Sequence, residues 1–130
     1  MLPHLEEARR SLRLAKRDIH AFDVLRASSE IHLSVICFHA QQAIEKLLKA
    51  ILFLHQIEFR RTHNLNDLSA LLIQNGIQVP VFDTDLLMLT PFAVTFRYDE
   101  MEVDWIDLAQ VVNLVQIIST WADEQLRNAE

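Results

Sequence analysis

The stretch His39–Ala50, which reads HAQQAIEKLLKA, gives the clearest indication of a helical fold. Its apolar and polar residues separate onto two sides of a helix. At about 100° of turn per residue, the apolar residues of this stretch and its flanks fall in one broad sector. The pattern predicts an amphipathic helix that begins after Ser28 and Ser29, which supply an N-cap, and runs to about His55. The apolar sector consists of Ile36, Ala40, Ala43, Ile44, Leu47, Leu48, Ile51 and Leu54.

Polar residues gather on the other side of this helix, in a row spaced three, four and three residues apart. Such a row, bordered here by Val35 and Phe53, is either a solvated face or a groove that holds something. The sequence leaves both interpretations open. We call the row the polar stripe; it consists of His39, Gln42, Lys46 and Lys49, with Glu45 beside it and paired with Lys49 at the i,i+4 spacing.

Helical signals continue on both sides of this segment. A helix from about Pro3 to Arg26 carries an apolar residue every three or four positions. A short third helix is expected to be capped by Asn64 and to end at Asn75-Gly76. A fourth helix should start around Thr84 and be kinked or ended by Thr90-Pro91, and Asp104 should cap the last helix.

No window alternates apolar and polar residues for long enough to read as a strand. We therefore expect one all-α domain over residues 1–130, an up-and-down antiparallel bundle of four to five helices. The single glycine, Gly76, excludes a glycine-rich phosphate loop and argues against a many-stranded β fold. The single cysteine, Cys37, excludes an intrachain disulfide and fits a cytoplasmic protein. No apolar run approaches a membrane span, and no signal peptide is evident at the start.

The last helix is more apolar than a small bundle needs. Helices that are apolar most of the way round are buried on more than one side, so a homodimer is expected. A monomer with an apolar core is the alternative. The residues that suggest the dimer are Val111, Val112, Leu114, Val115, Ile117 and Ile118.

Three blocks of the sequence resemble the HEPN domain family, in the family's order and over nearly the whole chain. They are His39–Ala50, Arg61-Thr62-His63-Asn64-Leu65, and Leu89–Tyr98, which reads LTPFAVTFRY. The resemblance to the minimal, stand-alone prokaryotic type implies a helical bundle that dimerises. It also implies work beside a small nucleotidyltransferase in a two-protein module of toxin–antitoxin type, metal-independent ribonuclease activity, or nucleotide binding.

The ribonuclease members resemble one another in an arginine followed, after four to six residues, by a histidine. Arg97 lies where that arginine is expected, but no histidine follows His63 anywhere in the chain. The imidazole that would move the 2′-hydroxyl proton is therefore missing. A ribonuclease with a degenerate motif is the runner-up interpretation, and no catalytic residue is assigned.

Two further residues have alternative interpretations. His63, beside Arg61 at the start of the third helix, either contributes to an anion site or packs on a neighbouring turn. Arg97 either pairs with a carboxylate, Glu45 or Asp99, or closes a polar pocket in which Tyr98 stacks on a base. No Glu-x-x-His pair occurs, so neither metal nor other cofactor is expected.

The net charge of −6 is divided unevenly along the chain. Residues 1–63 hold ten Lys and Arg against seven Asp and Glu, which gives +3, whereas residues 64–130 hold two against eleven, which gives −9. Net acidity argues against nucleic acid as a partner. The partition allows a local anion pocket and favours a basic partner protein on the acidic side.

Together these observations predict a non-catalytic HEPN-type binding subunit that docks a minimal nucleotidyltransferase and helps to hold a nucleotide. A stand-alone nucleotide or small-molecule sensor is the third interpretation. The predicted binding residues are His39, Gln42, Glu45, Lys46, Lys49, Arg61, His63, Arg97 and Tyr98.

Overall fold

The computed structural model describes residues 2–93 and 104–130, and those residues are helical with short connections. The described residues form five α-helices and no strand, and a 3-10 turn, Thr90–Phe92, follows the fourth of these helices. The predicted all-α class and the helix count are confirmed. The helices are α1 (Pro3–Arg26), α2 (Leu33–Leu54), α3 (Leu65–Gln74), α4 (Asp83–Leu87) and α5 (Leu108–Ala129).

Helix α2 is the core element, and it packs against α1, α3 and α5. Every residue of the apolar sector identified in the sequence is buried. The closest partner is α1, where Ala8 and Ala15 are fully buried and their small side chains let the two backbones approach. Ser11 crosses the same interface and donates a hydrogen bond to the Lys46 carbonyl at 2.8 Å. The pattern of α2 therefore predicted the side on which the bundle assembles.

Two of the expected N-caps are wrong, and a third is confirmed. Asn64 caps α3 through a bond from the Asp67 backbone N–H at 3.1 Å, as predicted. Helix α2 begins later than expected, because Ser28 instead accepts from the Glu30 backbone N–H within a turn. The cap of α2 is the ring of His32, a residue type that cap preferences do not favour. Similarly Asp107, not Asp104, caps α5.

The apolar surface of α5 is largely covered within one chain. Val111, Leu114, Val115 and Ile118 are buried, whereas Ile117 is 38% exposed. Most of the apolar side chains that suggested a second copy are thus buried in the chain's own core. The homodimer stays a prediction, with less support from this helix than the sequence implied.

Among the described residues, no helix combines the length and apolarity needed to cross a bilayer.

Cys37 lies in the core, where burial raises the pKa of its thiol to about 12. The thiol is therefore protonated and unreactive in the folded protein.

The C-termini of α2 and α3 offer a stability test, because both close with a left-handed residue, Gln56 at φ 56° and Gly76 at φ 81°. In each, the next residue's N–H bonds back to a carbonyl five positions earlier, Ile57 to Leu52 and Ile77 to Leu72. We expect Gly76→Ala to lower the free energy of unfolding by about 1 kcal/mol. We expect Gln56→Gly to raise it by about 0.5 kcal/mol, because glycine removes the strain and its larger loss of entropy on folding offsets only part of that gain.

Urea denaturation of both variants measures these changes. Since no atom lies within 4 Å of an added Cβ at Gly76, packing does not contribute to the loss there. Shifts of the two variants in the same direction would show that backbone strain does not govern these helix ends.

Candidate functional site

The polar stripe of α2 is organised around two carboxylates, one on either side of it. Asp18 comes from α1, and Glu45 comes from α2 itself. We call the first set the Asp18 group and the second the Glu45 group. The Asp18 group consists of Asp18, His39 and Lys46, and the Glu45 group consists of Glu45, Gln41, Lys49 and His63.

The Asp18 group joins α1 to α2. His39 Nδ1 lies 3.2 Å from Asp18 Oδ1, and the Lys46 ammonium donates to Asp18 Oδ2. The Asp18 side chain is only 13% exposed, so the pair is partly shielded from water. Both oxygens of the carboxylate are therefore used within the chain.

The Glu45 group joins α2 to the connection before α3. The Glu45 side chain is 5% exposed; Lys49 Nζ lies 3.0 Å from its Oε2, and His63 Nδ1 lies 2.9 Å from its Oε1. Gln41, fully buried, donates to the His63 carbonyl at 2.9 Å and makes a longer contact of 3.4 Å with Glu45. The amide of Gln42 donates to Gln41 Oε1 at 2.7 Å and so fixes the orientation of that amide.

His63 is held twice, through its ring and through its backbone carbonyl. Because an ionised carboxylate only accepts hydrogen bonds, the hydrogen of the ring lies on Nδ1, facing Glu45. The ring Nε2 points away from this contact, and 44% of the side chain is exposed. The geometry favours the packing interpretation of His63 over the anion site, since its nearest charged partner is an anion.

The charges of the polar stripe are compensated inside the chain. Two ammonium groups, Lys46 and Lys49, face two carboxylates, so the site is close to neutral when both histidines are neutral. Lys49 is 18% exposed and also lies 5.9 Å from the centre of the Phe59 ring. The stripe is therefore neither a fully solvated face nor a bare cationic pocket. Cavities of about 580 and 590 Å³ elsewhere contain none of its residues.

Five of the nine predicted binding residues belong to these groups, and a sixth, Gln42, donates a hydrogen bond to Gln41 of the Glu45 group. Arg61 is exposed in the connection before α3, and no ion pair among the described residues engages it. Arg97 and Tyr98 lie outside the described residues. The residues brought together are His39, Gln42, Glu45, Lys46, Lys49 and His63.

Sequence reasoning missed two members of the site. Asp18 follows Ser11 by seven residues and Ala15 by three, a spacing that places it on the face of α1 that packs on α2. That register was visible in the sequence. Gln41 sits between the polar stripe and the apolar sector, and periodicity alone does not show that its side chain is fully buried.

Two of the three sequence blocks contact each other in the structure, and the chain as a whole matches a family model. The blocks His39–Ala50 and Arg61–Leu65 meet at the Glu45–His63 contact. The family model described as HEPN domain matches residues 4–125. This chain belongs to the HEPN domain family. A crystal structure of an archaeal HEPN homologue is similar to this HEPN chain, with a TM-score of 0.59 and 18% identity over 92% of this chain and 97% of that one. At that identity, the similarity shows the fold alone.

A search of the curated proteins finds no match to this HEPN chain. Its site is therefore interpreted from its own contacts. The described part of the site positions the half-exposed imidazole of His63. It also joins α1, α2 and the connection before α3 through hydrogen bonds and ion pairs. Within the described ranges, no three His, Cys, Asp or Glu side chains cluster closely enough to hold a metal ion.

Replacing the Glu45 carboxylate tests the energetic weight of the Glu45 group. Glu45→Ala leaves Lys49, His63 and Gln41 without their shared acceptor in a buried setting. We expect the free energy of unfolding to fall by about 2 kcal/mol or more. Glu58→Ala, at an exposed glutamate of the next connection, should change it by less than about 0.5 kcal/mol. Urea denaturation measures both changes. Equal decreases in the free energy of unfolding would show that the Glu45 group does not stabilise the fold.

Proposed function

We propose that this HEPN protein is a cytoplasmic, non-catalytic binding subunit that docks a minimal nucleotidyltransferase in a two-protein module of toxin–antitoxin type. It acts as a homodimer and helps to hold a nucleotide at the polar stripe. The observation that carries the non-catalytic assignment is the internal pairing of Lys46 and Lys49 with Asp18 and Glu45. A site that cleaves a phosphodiester needs positive charge that is available to the phosphate.

The sequence after Arg97 supports the same proposal. No histidine lies between Arg97 and the last residue, Glu130, so the acid–base group of the ribonuclease motif is absent. The two histidines of the described site lie on other elements, and the ring Nδ1 of each faces a carboxylate. Their arrangement supports a role in joining segments of the chain.

A protein partner fits the charge distribution. The half of the chain from residue 64 onward has a net charge of −9, and such a surface attracts a partner of opposite sign. This charge distribution supports a protein partner in addition to a nucleotide.

Co-purification tests the docking. A minimal nucleotidyltransferase expressed together with this chain should remain bound through size-exclusion chromatography at micromolar concentration, and light scattering should give a mass that includes two HEPN chains. Dissociation under those conditions would contradict the docking. Cleavage of RNA in EDTA by the purified chain, lost in Arg97→Ala, would contradict the non-catalytic assignment and support the ribonuclease alternative.

Nucleotide binding at the polar stripe makes a separate prediction. A phosphate that binds Lys46 must compete with Asp18, so Asp18→Asn should tighten ATP binding several-fold, whereas Lys46→Ala should weaken it. Asp23→Asn, at an exposed aspartate of the same helix, is the matched control and should leave the affinity unchanged. Isothermal titration calorimetry measures all three. Equal affinities of Asp18→Asn and Asp23→Asn would place any bound nucleotide away from Lys46.

A further inference from the structure

A groove runs between α5 and the segment from Gly76 to Met88. Two cavities, of about 580 and 280 Å³, lie along it and share Pro80 as a common wall. On the α5 side they are lined from Gln110 to Gln125, a length of about 22 Å at 1.5 Å per residue. The groove is therefore long enough to seat about four turns of a helix.

Apolar side chains form much of the lining of this groove. Phe82 is 79% exposed and Ile117 is 38% exposed, although both are large apolar residues. Trp121 lines the cavity at the far end. On α5, Leu114, Ile117 and Trp121 follow one another at spacings of three and four, so they share one face. Phe82 and Ile117 leave large apolar side chains exposed at the same groove, and grouped apolar exposure of this kind marks a binding surface.

The charged residues around the groove are acidic. Asp85 lines it, Asp83 lies beside Phe82, and Asp107 precedes Gln110 by three residues on α5. No ion pair among the described residues neutralises these three carboxylates. From residue 64 to residue 126 the described ranges contain no Lys or Arg. The groove thus combines an apolar floor with a negative rim.

We propose that this groove binds an amphipathic helix of a partner protein, with an apolar face flanked by Lys and Arg. A bound helix enters an apolar groove through its own residues at i, i+3, i+4 and i+7, and this groove presents apolar side chains along about four turns of α5. A second copy of the chain does not supply such a helix from its described residues. The basic helix α1 already buries its apolar face against α2, with Ala8, Ala15 and Phe22 in the core.

The inference deepens the proposed function by naming the surface and the chemistry through which the nucleotidyltransferase is bound, and in that respect it rests on that proposal. Two experiments distinguish a failure of the groove proposal from a failure of the proposed function. The first uses a 16-residue Leu–Lys amphipathic peptide and its Leu–Glu counterpart, titrated into a Trp105→Phe background in which Trp121 is the one tryptophan. The second repeats the co-purification with groove variants.

In the peptide titration, the Leu–Lys peptide should bind at least tenfold more tightly than the Leu–Glu peptide and change the Trp121 fluorescence. Ile117→Lys should weaken binding at least tenfold, because it places a like charge on the groove floor. Val24→Lys, the same type of change at an exposed apolar residue of α1, should have no effect. Equal binding of the two peptides, or equal affinity of the two variants, overturns the proposal. So does loss of a dimer in Ile117→Lys alone, which would assign the groove to a second copy.

In the co-purification, the nucleotidyltransferase should be retained by Val24→Lys and lost by Ile117→Lys, with circular dichroism confirming that both variants are folded. Retention by both variants overturns the groove while leaving the proposed function intact. If the unaltered chain fails to retain the enzyme and the groove still selects the Leu–Lys peptide, the proposed function fails and the groove stands.

Discussion

The burial of α2 is the constraint on which the rest of the structure depends. A helix packed against three others has no fully solvated side on which to place Gln41 and Glu45, and both are buried. Buried polar groups need hydrogen-bond partners, and a buried carboxylate needs charged ones. Lys49 comes from the next turn of α2 and His63 from the following connection. The position of that connection, and hence the start of α3, follows from this requirement.

This constraint explains how much of the fold was predictable. Apolar periodicity depends only on which residues avoid water, and it predicted the helices and the buried side of α2. Caps depend on the local backbone, and two were misplaced. At α2, Ser28 accepts a hydrogen bond within a turn and His32 caps the helix, and at α5 the cap is Asp107 in place of Asp104. Prediction of the site was partial for a different reason. Spacing on one helix identifies a row of side chains, but their partners, such as Asp18, come from other helices and depend on how the helices pack.

The two halves of the charge pattern have different physical meanings. The cations on α2 are matched by carboxylates within hydrogen-bond distance, so they contribute little to the field outside the protein. The aspartates along the groove bond backbone N–H groups, as Asp85 does to Phe82 and Asp107 does to Ala109, and those bonds leave their charge intact. A net charge of −6 thus understates the polarity of the molecule. In the described ranges, the groove brings aspartates without an ion-pair partner next to the exposed side chains of Phe82 and Ile117.

That coincidence distinguishes the α5 groove from the polar stripe as a place for a partner. At the stripe, a ligand must break an existing ion pair. The free energy gained from the new contact is then partly offset by the loss of that pair. At the groove, an apolar side chain displaces only water, and a basic residue at the rim finds a carboxylate that no cation in the described ranges occupies. The stripe therefore joins α1, α2 and the start of α3, and a nucleotide bound there has to displace an ion pair, whereas the groove is open to a protein partner. Attraction between the rim and a basic helix also weakens as salt screens it, whereas the contact with Ile117 and Trp121 does not.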